Sequence, residues 1–290
     1  MDMDKKHIFI CEDSLEGILT GVYAAWDARV GHGNVELRTE EEGNLELFCE
    51  YHPVEPDMIR AEKVLRTMRK KLGEEITENI CYASCAADQQ KGTAVYRTLV
   101  DCLSVYGASY GKKRLDNLKN SYVRKVMELY RKVCNEHHHY LGFLRFRQLP
   151  GRVLFSVFAP ENDILLLLQE HFGDRFSGEY WIIYDERREK ALIHVPHQPC
   201  IVYRIRGDKM GKLMESKDTE EDYESLFRGF CDHISIGERE NHDLQRQNLP
   251  LRFRNHMVEF DKNITGILHE RQETLGEQNK NDFKQIKLPG

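Results

Sequence analysis

The chain has 290 residues, of which 40% are apolar and 31% charged, with a formal net charge of −6. That balance excludes general disorder and leaves room for one large domain or two smaller ones. No apolar run approaches the ~20 residues needed to span a bilayer, and acidic residues follow the short apolar run near the N-terminus at once, so the expected location is the cytoplasm, with reduced cysteines.

The first expected element is a short strand over His7–Cys11. Asp13 or Ser14 then caps a helix reaching about Arg29, with Ile18, Leu19, Val22, Tyr23 and Trp26 as its buried stripe. Gly31 and Gly33 end it. A second strand is expected over Leu45–Tyr51, with Pro53 and Pro56 breaking the chain before a helix over Asp57–Leu72. Shorter helices follow at Glu74–Ala83 and Thr93–Tyr106, and Tyr110–Lys119 reads as a basic connector.

Asn120 or Ser121 caps the strongest helix. Val123, Val126, Met127, Tyr130, Val133, Cys134 and His137 keep the three-four repeat for four turns, while Arg124, Lys125, Arg131 and Lys132 share another face. The helix is expected to end at His137-His138-His139, whose imidazoles suit the unpaired carbonyls of a helix C-terminus. Three adjacent helical residues diverge by ~100° each, so capping and packing outweigh a shared metal there. No metal site and no cofactor is assigned. Leu141–Leu149 and Arg152–Phe158 then read as a hairpin across "LPGR". A helix is expected from Glu161 or Asn162 through Phe172. Strands follow at Tyr180–Tyr184, Ala191–Val195 and Cys200–Arg204, then a helix over Glu220–Ile234 capped by Thr219.

This order implies an α+β fold, with a mostly helical N-terminal half and an antiparallel sheet with packed helices in the C-terminal half. Three regions are expected: an N-terminal strand and helix region over 1–84, an α+β core over 85–259, and a polar, flexible tail over 260–290.

Chemistry-bearing motifs are few. "CYASCAAD" supplies Cys81 and Cys85 at a Cys-x3-Cys interval, but Asp88 stands where a third thiolate would complete an iron–sulfur loop. The reading kept is two cysteines on one helix face. Phosphate-binding loops, dinucleotide fingerprints and nucleophile elbows are absent. Charge is segregated: Glu36–Asp57 holds eight acidic residues and one arginine, whereas Lys112–Lys132 holds eight basic residues against Asp116 and Glu128. "GFLRFRQL" places Arg145 and Arg147 on one side of an expected strand, and "LPLRFR" repeats the pattern at Arg252 and Arg254. Guanidinium groups pair with phosphate and stack on bases, and basic residues among aromatics suit single-stranded nucleic acid. The same alternation also serves aromatics in a core and arginines in solvent. The expected nucleic-acid surface comprises Lys112, Lys113, Arg114, Arg124, Lys125, Arg145, Arg147, Arg252 and Arg254.

Several segments together resemble a known family. They are "SLEG" at Ser14–Gly17 with the "VYAAW" helix, Glu136-His137 leading to Phe143–Phe146, "FAPENDILLLLQEHFGDRF", "WIIYDERREKAL" and "ERENHDLQRQNLPLRF". In this order they are similar to a bacterial family of DNA metabolism or repair proteins that is itself a domain of unknown function. That family is encoded beside a radical S-adenosylmethionine (radical SAM) protein of DNA modification or repair, and related domains occur fused to uracil-DNA glycosylase-like domains. The resemblance covers about Ile8–Glu259. It implies a DNA-binding accessory role beside the radical SAM partner, whose cluster would reside in that partner. Two alternatives stand beside it. One is a nucleotide- or base-processing enzyme using Glu136 with His137, or Asp185 with Glu186 beside Arg187 and Arg188. The other is a scaffold that docks the radical SAM enzyme, through the acidic Glu36–Asp57 segment, without touching DNA.

Overall fold

The computed structural model describes residues 5–39, 46–104, 114–149, 151–205 and 247–257. The expected helix over Glu220–Ile234, the tail beyond 260, and Lys112 and Lys113 lie outside the described residues. The fold is α+β, in two compact units. The first takes Met1–His139 and Pro160–Leu168, and the second takes Tyr140–Ala159 and Gln169–Gly290. Among the described residues no helix is long and apolar enough to cross a membrane.

In the first unit a parallel sheet has β1 (Lys6–Cys11) between β2 (Val35–Arg38) and β3 (Cys49–Val54). Ile8 and Phe9 are buried, as befits the central strand of a parallel sheet. The four-residue β2 was not expected; its alternation is only Val35 and Leu37 inward, too short to stand out in the sequence. The second expected strand is displaced. Phe48 turns with φ of 60°, and β3 runs on through Pro53 instead of stopping before it. An edge strand tolerates proline because the missing N–H can face away from the ladder.

Helix α1 (Leu15–Ala28) starts where Ser14 Oγ accepts from Gly17 N at 3.0 Å. A Cβ at Gly17 would stand 2.3 Å from the Glu12 carbonyl oxygen, so the tight entry from β1 needs glycine there. Ile18, Leu19 and Val22 are buried, but Trp26 is 41% exposed and leans on His32. Asp57 caps α2 (Met58–Leu72) by accepting from Ile59 N and Arg60 N. Gly73, at φ of 89°, turns the chain directly into α3 (Glu74–Ser84). Helix α4 (Lys91–Leu103) is joined to the edge of β2 by Thr93, whose hydroxyl accepts from Leu37 N at 3.0 Å and donates to Leu37 O at 2.9 Å.

Helix α5 spans Ser121–Phe143, with Asn120 Oδ1 accepting from Tyr122 N. It does not end at the three histidines. His137, His138 and His139 all lie within it, and the helix runs on because nothing in His-His-His-Tyr-Leu opposes helical backbone. Arg145 supplies the expected cap instead, donating to Gly142 O at 2.9 Å and Leu144 O at 3.3 Å. Arg145 is therefore not on a strand beside Arg147, since β4 covers only Arg147–Leu149.

The second unit carries a five-stranded sheet in the order β4-β5-β6-β7-β8, with β5 at Val153–Phe158, β6 at Tyr180–Asp185, β7 at Lys190–His194 and β8 at Ile201–Arg204. The sheet is mixed. Three pairs are antiparallel, but β5 and β6 are parallel, with Val153 opposite Tyr180. The chain between them is long enough to return to the starting edge, which parallel pairing requires. That connection is not the helix expected from Glu161 to Phe172. It holds a 3-10 turn at Leu166–Leu168 and a short helix α6 at Gln169–Arg175. Leu149, Phe155, Tyr184 and Ala191 form a buried cluster on the sheet. Tyr140, Phe158 and Phe253 meet edge to face at about 5 Å centroid separations. The second Leu-Arg-Phe-Arg stretch lies in a 3-10 helix, Leu251–His256.

Candidate functional site

The first unit contains a polar cleft of about 470 Å³. It is lined by the end of β2 with Arg38 and Thr39, by Gln89 and Gln90 just before α4, and by Thr93 in the first turn of that helix. The start of α5 closes it with Ser121, Tyr122 and Lys125. The two helix starts add partial positive charge to the two side-chain cations, and Glu36 lines the same cleft with a carboxylate.

Those cations are held in place by carboxylates. Lys125 Nζ donates to Asp88 Oδ2 at 2.8 Å, and Asp88 Oδ1 accepts from Gln90 N at 2.9 Å. Burial raises the Asp88 pKa, but Lys125 and the Gln90 amide outweigh it and hold the carboxyl below its usual range. Arg38 bonds Glu36 at 2.6 Å and also Glu46. Burial opposes its charge, yet the two carboxylates raise its pKa on balance. Tyr122 is 41% exposed, with the Arg97 guanidinium 5.9 Å from its ring centroid. Cation, amide, hydroxyl and exposed ring in one cleft of this size suit a phosphate-bearing, flat-ringed ligand.

Of the expected nucleic-acid residues, Arg114, Arg124 and Lys125 belong to the first unit. Arg114 lies 3.5 Å from Asp101, and Arg124 is exposed. Arg145, Arg147, Arg252 and Arg254 belong to the second unit. Arg147 lies over the Phe155 ring at 5.2 Å and Arg252 over Phe253 at 4.9 Å. The Arg254 guanidinium donates to Leu249 O at 3.1 Å.

The expected acid–base candidates have structural partners. Glu136 is 2% exposed; its carboxylate accepts from Glu161 N at 2.8 Å, Asn162 N at 2.9 Å and Asn162 Nδ2 at 2.6 Å. His137 Nδ1 lies 3.2 Å from the Tyr82 hydroxyl. Asp185 is fully buried and accepts from the amides of Arg187 and Arg188 and from the Arg188 guanidinium, closing the turn after β6. Glu186 is exposed, 3.4 Å from His256 Nε2. Burial lowers the His256 pKa, and Glu186 only partly offsets that. Cys81 sits in α3 and Cys85 at its end; burial pushes the Cys81 thiol up to about 11, unlike a thiolate ligand.

Sequence reasoning named Lys125 but missed Arg38, Gln89, Gln90, Thr93 and Tyr122 as neighbours in a cleft. Only the helix-start pattern around Asn120 hinted at one wall. The rest converge from segments far apart in the chain.

A family model matches residues 89–259; its description is a domain of unknown function, DUF4130. No curated protein matches the chain. Among solved structures, a DHH domain described as a member of the s1p family of ribosomal proteins aligns at a TM-score of 0.28 with 9% identity, over 67% of this chain and 74% of that one. A likeness of that size carries no argument about fold or function.

Proposed function

The chain belongs to that DUF4130 family, and from this premise we propose that it binds nucleic acid as an accessory factor in DNA repair or modification, beside a radical SAM partner. The single observation that carries the binding step is the polar cleft, in which Tyr122, Lys125 and the start of α4 face one space. In this reading an unstacked nucleotide enters the cleft. Its base stacks on Tyr122, its edge meets Gln89 or Gln90, and its phosphate lies toward Lys125. Arg124, one residue earlier on α5 and exposed, follows the backbone outward. The partner rests on the sequence resemblance alone.

The test is fluorescence anisotropy with labelled single-stranded and duplex oligonucleotides at low and high salt. Each phosphate contact should add about −0.7 to the logarithmic salt slope on single strands and about −0.9 on duplex. Tyr122→Ala should weaken single-strand binding by ~5- to 100-fold, the worth of one stacked base. Arg124→Glu should flatten the salt slope. Negligible binding to both oligonucleotides at low salt removes the proposal, as does binding that neither variant alters. Co-purification with the radical SAM protein tests the partner separately.

A further inference from the structure

On the first sheet, strands β1 and β3 pair in parallel with His7 opposite Glu50 and Phe9 opposite His52. Alternation puts His7, Phe9, Glu50 and His52 on one face of the sheet. There His7 Nδ1 and His52 Nε2 stand 3.1 Å apart. One Glu50 oxygen lies 3.8 Å from the His7 nitrogen and the other 4.0 Å from the His52 nitrogen. The three donor groups thus converge within 4.8 Å of one another. Phe9 stacks on His52 at 4.8 Å and fixes that ring. The side chains of His7, His52 and Glu50 are 16%, 31% and 52% exposed, so the cluster is open to solvent on the Glu50 side.

A hydrogen bond accounts for only part of this arrangement. Two neutral imidazole nitrogens can share one proton, as donor and acceptor. The carboxylate facing both then gains no donor from either at these distances. A cation would use all three lone pairs at once. Donors around a zinc-like ion at 2.0–2.2 Å are about 3.3 Å apart in a tetrahedron, close to the spacing already set by the two histidines. The remaining adjustment falls on Glu50, whose side chain is half in solvent and free to turn.

We propose that His7, Glu50 and His52 form a binding site for one divalent transition-metal ion of the zinc class. Two imidazoles and a carboxylate are the donor set of such ions, and three protein ligands leave a fourth position for water or another oxygen ligand. The site depends on strand register, so both strands must be paired for it to exist. Metal binding therefore also fastens β3, an edge strand, to the centre of the sheet.

The experiment uses the full chain, stripped with chelator in reducing buffer and titrated with Co²⁺ and then Zn²⁺. The expected result is one ion per chain, with weak visible Co²⁺ bands of nitrogen and oxygen ligation. His52→Ala and Glu50→Gln should each weaken binding by at least ~10-fold, as loss of groups around a metal does. Glu50→Gln keeps the size of an exposed side chain, so it folds even if a histidine variant does not; circular dichroism checks both. Zn²⁺ should also raise the melting temperature of the parent chain, and at the same Zn²⁺ concentration raise that of Glu50→Gln less. No saturable binding, intense thiolate-to-cobalt bands, or affinity unchanged in Glu50→Gln would overturn the site.

Discussion

Replacing Glu136 by alanine should be among the costliest single changes in the first unit. The Glu136 carboxylate, on α5, is 2% exposed and receives three donors, two of them amides of Glu161 and Asn162. These bonds hold the segment Pro160–Leu168, which is part of the first unit although the chain on either side belongs to the second. Asn162 continues the clamp: its Oδ1 accepts from Ala87 N at 2.9 Å, and the next amide, Asp163 N, donates to Cys85 O at 2.8 Å. Hydrogen bonds to a charged group are each worth about 1.5–3 kcal/mol, but three on one carboxylate do not add fully. Glu136→Ala removes the charge itself and leaves three neutral amide donors without their acceptor; at about 1–3 kcal/mol for each unmet buried donor, and without full additivity, the expected loss is about 2–5 kcal/mol. Glu136→Gln keeps the volume but turns an amide NH2 toward a donor, so about 1–3 kcal/mol is expected. Urea unfolding followed by circular dichroism measures both, and amide exchange at Glu161 and Asn162 should quicken in parallel. A double-mutant cycle with Asn162→Ala should show coupling of at least ~0.5 kcal/mol. A loss under about 1 kcal/mol for Glu136→Ala, or strict additivity in the cycle, would refute the clamp and return Glu136 to the list of free carboxylates.

Lys91 is 2% exposed, with Nζ bonded to Ala86 O at 2.6 Å and to the Asp13 carboxylate; Lys91→Met should leave that carbonyl unsatisfied and cost about 1–3 kcal/mol in urea unfolding. Burial pushes the Cys11 and Cys102 thiols up to about 12 from an ordinary 9. The unfolded chain therefore ionises first, so their contribution is intact below pH 9 and is lost as pH rises from 9 toward 12. Melting temperatures across that window should fall more steeply in the parent than in Cys11→Ala/Cys102→Ala. Glu46 is held at about 2 by Arg38 first and Lys6 second, so its contribution is present above its ordinary value of 4.5 and is lost as pH falls toward 2. An NMR titration should give Glu46 a midpoint near 2, and Arg38→Ala should move it back toward the ordinary carboxylate range.

The elements most legible in the sequence were those with a local cause. Ser14 and Asn120 were readable as caps, and each accepts from an amide at a helix start through a side-chain oxygen; the stripe that begins with Ile18 follows directly. The strands after Tyr180 were legible because short apolar runs are separated by the polar turns "DERREK" and "PHQP". What failed were features decided by distant partners. Nothing local marks Val35–Arg38 as a strand until β1 lies beside it. The Ile164–Leu168 run is apolar throughout, but its amides bond three residues back, Leu167 N to Ile164 O and Leu168 N to Leu165 O, so it makes a 3-10 turn and the α-helix starts only at Gln169. His7 and His52 are 45 residues apart, and only the parallel register brings their nitrogens together. The cleft follows the same rule: Lys125 was legible as a cation on a helix face, whereas Arg38 and Gln90 became its neighbours only through packing.

That distinction also decides which cations an acidic protein can still offer to a polyanion. Lys125 with Asp88, Arg114 with Asp101 and Lys132 with Glu161 are pairs whose partners keep 23–44% of their side-chain surface in solvent. Pairs so exposed are worth about 0–1 kcal/mol, so a phosphate can take over the ammonium or guanidinium at small cost. Arg188 is different, because its partner Asp185 is fully buried and would be left as an uncompensated charge. Arg145 and Arg254 are committed in another way, to backbone carbonyls that end a helix and shape a turn. Withdrawing them would unmake local structure. Of the expected nucleic-acid cations, Arg114 and Lys125 are therefore held only by exposed pairs, Arg124 beside Lys125 is exposed, and Lys125 lines the cleft. The arginines of the Leu-Arg-Phe-Arg stretches, prominent as they are in the sequence, go largely to holding their own unit together.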